Sequence, residues 1–178
     1  KEVEDVLRKI RDLVRKNLED AERVVEEAKR LIDENRERLR EVLREDEELN
    51  REILKRLREL KDEDALRDLE RKLKEVHDRT KKLIEDSERH LEEVLRKVEK
   101  VIKDSEKHLR EVLDEVEKAG LDEEALKEVR RLIDELRKAN KRILEEIRDL
   151  VRRLREENEE ILRRLKRKNE RTADEIRK

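Results

Sequence analysis

AGLDEEAL, residues 119–126, is the stretch on which the fold turns. Gly120 is the one glycine in a chain of 178 residues that has no proline. It stands where a helix can end in the left-handed C′ conformation, which glycine adopts without steric cost. Beyond it, Asp122 can accept from the free N–H groups of a new first turn, Glu123 and Glu124 suit the positive end of that helix, and Leu121 can pack on Leu126 across the cap. One helix therefore ends near Ala119 and the next begins near Glu123. KDEDAL at 61–66 repeats the starting signal without the glycine: Asp62 takes the capping place and the turn falls at 61–62.

Between these punctuation marks the apolar residues keep a helical period. From Val3, Val6, Leu7, Ile10, Leu13 and Val14 to Leu60 they fall on one helical face, at steps of one, three and four with longer gaps where polar residues interrupt, as they do from Leu66 to Val116 and from Leu126 to Ile176. The pattern predicts three helices, at about 2–60, 63–119 and 123–177. Each is roughly 85 Å long at about 1.5 Å per residue. Two short turns force sequential antiparallel packing. The expected fold is all-α, a single antiparallel up-down-up three-helix bundle of long, nearly straight helices spanning residues 1–178. One extended helix held by ion pairs alone is the rival, and it needs neither a regular apolar stripe nor a glycine stop.

Composition bounds the function. Charged residues make up 60% of the chain and apolar residues 33%, with no Phe, Trp, Tyr, Met or Cys. The 52 basic and 54 acidic residues nearly cancel, leaving −2, so self-repulsion does not drive disorder. Without cysteine there is neither a disulfide framework nor a thiolate site. No run of about eighteen apolar residues is present to span a bilayer, and KEVEDVLRKI at the start lacks a signal-peptide core. Interleaved charges without aromatic residues offer nucleic acid no basic face and no stacking platform.

Polar residues interrupt the stripes at regular places. DSERHLEEVL at 86–95 recurs eighteen residues later as DSEKHLREVL at 104–113, pairing Ser87 with His90 and Ser105 with His108. With the first turn centred near 62, residues of the first two helices share a height when their numbers sum to about 124; across the second turn the sum is about 242. By that measure Asn17, Ser105, His108 and Asn140 form one layer, and Asn35, Ser87, His90 and Asn158 form a second. They lie about 27 Å apart. A looser third layer holds Asn50, His77, Thr80 and Asn169, with Asp46 and Thr172 as further candidates and Asp46 as the charged partner of His77. The eighteen-residue repeat is five turns of about 3.6 residues, which calls for no supercoil.

Buried hydrogen-bond layers set register. An unpaired buried amide or imidazole costs about 1–3 kcal/mol, so a slipped arrangement that separates the partners is penalised. The same residues do not read as a catalytic or metal site. The three histidines lie on one helix, thirteen and eighteen residues apart, too far to share an ion. A Ser–His pair on a Leu-packed bundle lacks an oxyanion site and a pocket. No enzyme activity, metal or cofactor is expected. A histidine buried neutral would make the bundle acid-sensitive, with stability lost as pH falls through about 6.5.

The chain resembles the de novo designed helical bundles with buried hydrogen-bond networks. The marks are an alphabet drawn almost wholly from A, D, E, I, K, L, N, R and V, helix starts at 62–66 and 122–126, the lone Gly in AGLD, and Asn, Ser and His at equal heights. The resemblance covers the whole chain and implies a scaffold without a cofactor, an obligatory partner or a catalytic site. Some members of that class self-associate, accept a further helix or come apart in acid, so a pH-responsive assembly or helix-accepting module is the alternative.

Overall fold

The computed structural model describes residues 2–59 and 63–177. Three helices account for them: α1 (Glu2–Glu59), α2 (Glu63–Ala119) and α3 (Glu123–Arg177). Packed together they form a three-helix bundle. No helix among the described residues is long and apolar enough to cross a membrane. Leu60 and the turn placed at 61–62, with Asp62 as its cap, lie outside the described residues.

The α2–α3 turn follows from AGLD. Gly120 has φ 63°, and Asp122 Oδ1 accepts from the backbone N–H of Ala125 at 2.9 Å. The Leu126 N–H donates to the Asp122 carbonyl at 3.0 Å, closing the first turn of α3. Leu121 and Ala125 are buried in one apolar cluster and Leu126 packs against it, so apolar packing accompanies the hydrogen-bonded cap.

The chain divides into two compact units, to each of which all three helices contribute a segment. The first comprises Lys1–Lys29 with Leu91–Leu150, the second Arg30–His90 with Val151–Lys178. Inside the first, Val6 and Ile10 of α1 meet Leu109, Val112 and Val116 of α2 and Val129, Leu132, Ile133 and Leu136 of α3. Inside the second, Ile53 of α1 packs with Leu66, Leu69 and Leu73 of α2, and Ile176 of α3 rests against them.

Cross-helix ion pairs record the register within each unit. Lys9 with Glu115 at 3.7 Å and Glu27 with Lys97 at 3.5 Å in the first, and Glu45 with Arg79 at 2.6 Å in the second, each have numbers summing to 124, the mark of antiparallel α1 and α2. Such surface pairs stabilise little, about 0–1 kcal/mol each. The apolar stripes are wider than the arc each helix buries. Val25 is buried but Val24 half-buried, and Ile32, Val42 and Val94 are buried beside half-buried Leu31, Leu43 and Leu95. Successive residues sit about 100° apart on a helix, so a helix facing two neighbours covers one of each doublet and leaves the other at the margin.

Candidate functional site: buried polar clusters

Asparagine carries the first two layers. In the first unit Asn17 Nδ2 donates to Asn140 Oδ1 at 2.6 Å, and in the second Asn35 Nδ2 donates to Asn158 Oδ1 at 3.3 Å. All four side chains are buried. Each bond joins α1 to α3 at the same offset of 123 residues, which two helices of nearly equal length between parallel partners produce. Neither pair is fully satisfied: Asn17 Oδ1 is a buried acceptor without a partner, and Asn158 Nδ2 a buried donor without one.

The Ser–His modules do not complete these layers. His90 and His108 are exposed, and Ser87 and Ser105 are half-buried. His108 Nδ1 lies 2.7 Å from the Asp104 carbonyl and Ser87 donates to the Ile84 carbonyl at 3.3 Å, so both turn back on their own helix. The prediction of buried histidine in these two layers is thereby corrected, and the reason is angular. His90 and His108 immediately precede Leu91 and Leu109, which are 1% and 2% exposed, and one residue of rotation carries each imidazole about 100° round the helix, out of the stripe. Equal height along an axis does not imply an inward direction.

Proximity survives where hydrogen bonding does not. Asn17, Ser105 and His108 line one shallow groove between α1 and α2, bounded by Leu13, Asp20 and Val101. Eighteen residues on, Asn35, Ser87 and His90 line an equivalent groove with Leu31, Arg38 and Leu83. Exposed imidazoles contribute little to folding. Replacing His90 and His108 together by Gln should change the unfolding free energy by less than about 0.5 kcal/mol per site, as urea melts at pH 7 measure.

The third cluster is denser. Asn50 Nδ2 lies 2.7 Å from the Asp46 carbonyl, 3.1 Å from Asp46 Oδ2 and 3.2 Å from Asn169 Oδ1. Thr172 Oγ1 donates to Asn50 Oδ1 at 2.5 Å and also lies 3.1 Å from the Lys168 carbonyl. Asp46, Asn50 and Thr172 are buried, and Asn169 is half-buried. Thr80 is buried too but donates to the Val76 carbonyl at 2.8 Å, within its own helix. His77 is half-buried, so this layer holds a histidine at its edge rather than in its centre. Burial pushes the Asp46 carboxyl above its ordinary range; the Asn169 amide and the positive charges of Lys168 and His77 oppose the rise, and Glu47 adds to it.

One clasp was hidden in the sequence by its surroundings. Arg36 grips Glu157 with two bonds, Nε to Oε2 at 3.1 Å and Nη2 to Oε1 at 2.8 Å, on residues adjoining Asn35 and Asn158. The hydrogen bond to Glu157 raises the Arg36 pKa further. In a chain that is 60% charged, nothing marks this arginine from its neighbours.

Among the described residues no group of three His, Asp or Glu is arranged to hold a metal ion. No family model matches the chain, and no curated protein sequence matches it. Among solved structures it is similar to a protein described as a "Computationally designed three helix bundle", with a TM-score of 0.57 and 18% identity over 99% of this chain and 84% of that one. At that identity the likeness speaks for the fold. Three helices of nearly equal length, capped at AGLD and tied from α1 to α3 by buried asparagine pairs, give this chain the fold of a three-helix bundle.

Proposed function

We propose that the chain is an artificial structural scaffold, a monomer requiring no partner, in which buried amide pairs select the helix register. The observation that carries this reading is the pair of Asn–Asn bonds, which join the same two helices at one offset in each unit. An apolar core of Leu, Ile and Val tolerates sliding by one or two turns, since dispersion and burial are not directional. A buried amide does not, because every shift separates donor from acceptor at about 1–3 kcal/mol per orphaned group. The restricted alphabet and the likeness to a designed bundle support the artificial origin. The reading assigns no reaction and no cofactor.

The alternative, an interaction module that assembles or accepts a helix when buried histidine is protonated, draws no support from His90 and His108, whose rings are exposed. The test removes the register signal and keeps the core. Asn17, Asn35, Asn140 and Asn158 are all replaced by Leu, and the product is followed by sedimentation and by counting backbone amide resonances. The expected variant keeps or gains stability but populates more than one register or oligomer. A single monomeric state with one set of resonances would remove the amides from the role given to them.

A further inference from the structure

The strongest unassigned feature is Asp46. It is 1% exposed, and its Oδ1 is buried without a partner. Oδ2 shares the Asn50 amide with two other acceptors, the Asp46 carbonyl and Asn169 Oδ1. Asn50 Nδ2 has two hydrogens for these three oxygens, and although the Asn169 amide also favours the ionised carboxylate, Asp46 Oδ1 is left without a hydrogen. Charged groups face it from each helix: Glu47 on α1, His77 on α2 and Lys168 on α3, of which Lys168 lies 3.7 Å from Glu47. No cationic group is paired directly with the carboxylate among the hydrogen bonds and ion pairs of the described residues.

We propose that Asp46 is an internal proton-binding site that locks the last turns of α3 onto α1 when it takes up a proton. The un-ionised carboxyl adds a hydrogen to a cluster whose acceptors include Asn169 Oδ1 and Asn50 Oδ1, and it removes a buried charge. The proton comes from solvent. An open groove of about 340 Å³, bounded by Leu73, His77, Asn169, Ala173 and Ile176, brings water to the Asn169 side of the cluster. The locked segment has little apolar anchorage: beyond Leu165, Thr172 is the buried residue of α3, and Ala173 and Ile176 are half-buried. Polar contacts therefore decide how firmly this segment is held.

The sign is opposite to that of a histidine switch. Asp46 is displaced upward from its ordinary value of 3.8, so the folded state holds the proton more tightly than the unfolded chain does. Its stabilising contribution is complete below 3.8 and disappears as pH rises through the folded-state value. A buried histidine held neutral would instead lose stability on acidification.

The experiment follows the Asp46 carboxyl carbon by NMR through a pH titration of the full chain, beside thermal melts of the parent and of Asp46→Asn. The expected carboxyl titrates above the ordinary aspartate range. Amide hydrogen exchange in residues 166–177, corrected for intrinsic rates, slows across the same interval. Asp46→Asn melts higher than the parent at pH 7 by about 2–4 °C, and the advantage vanishes at acid pH, where both side chains are neutral. His77→Gln, which removes a neighbouring positive charge, moves the Asp46 midpoint further up. A carboxyl titrating at or below 3.8 overturns the proposal even where the variants do not fold. So does a pH-independent difference between parent and Asp46→Asn. The Asn→Leu test of register reads a different pair of residues, so either idea can fail while the other stands.

Discussion

Leu136→Ala should lower the unfolding free energy by about 2–5 kcal/mol, toward the upper end of that range. The side chain is fully buried in α3, in the cluster where Val6 and Ile10 come from α1 and Leu109, Val112 and Val116 from α2. Truncation removes apolar surface from a contact shared by all three helices. It also leaves a void, and the cost of the void depends on whether neighbours can collapse into it. Here they are poorly suited to do so. The cluster is Val, Ile, Leu and Ala, its β-branched members have one strongly preferred side-chain rotamer on a helix, and the chain has no methionine or aromatic ring to swing inward. Urea melts with an unchanged slope would report a pure stability loss. The same truncation at half-buried Leu13, which packs at the edge of that cluster, should cost distinctly less. A loss below about 1 kcal/mol at Leu136 would mean that the segment repacks more freely than its residue types allow.

Asn17→Leu should be destabilising alone and harmless in company. The single change leaves Asn140 Oδ1, which accepts the 2.6 Å bond from Asn17, without its donor in a buried position, at a cost of about 1–3 kcal/mol. Replacing both residues by Leu removes that orphan together with the acceptor of Asn17 that lacks a partner already, and it fills the stripe with apolar volume. The double variant is expected to be about as stable as the parent or more so. A double-mutant cycle from urea melts should then return a coupling between positions 17 and 140 of about 0.5–3 kcal/mol. Additive single effects would show that the bond contributes nothing beyond its separate groups. Stability and register respond in opposite directions here, because apolar contacts hold the helices together at any height and the amides choose one.

Much of the bundle was legible because its signals are local or periodic. Gly120, Asp122 and the apolar Leu121 and Leu126 mark one hairpin by three independent signals, and the structure has the positive φ at Gly120, the Asp122 cap and both leucines at one apolar cluster. The heights of the asparagine pairs followed from the same turns: once two reversals are placed, α1 and α3 run parallel at a fixed offset, and Asn17 must find Asn140 as Asn35 finds Asn158. Height is a one-dimensional quantity that residue counting supplies.

Direction was not legible in the same way. Ser87, His90, Ser105 and His108 stand at the predicted heights and line the grooves beside Asn35 and Asn17, yet the rings lie outside. A stripe wider than the buried arc leaves the inward axis undetermined by some tens of degrees, and at its margin that decides between core and solvent. Asp46 was legible in part: its place on the stripe and its height beside His77 put it in the third layer, and the structure buries it. That its Oδ1 is enclosed without a partner was not legible. Helix length, turn chemistry and axial register belong to the sequence, since each depends on residues near one another or on simple counting. Which polar groups are enclosed, which atoms lack partners, and which carboxyl is ready to take up a proton arise only when three helices close on one another, because burial is a property of all three together.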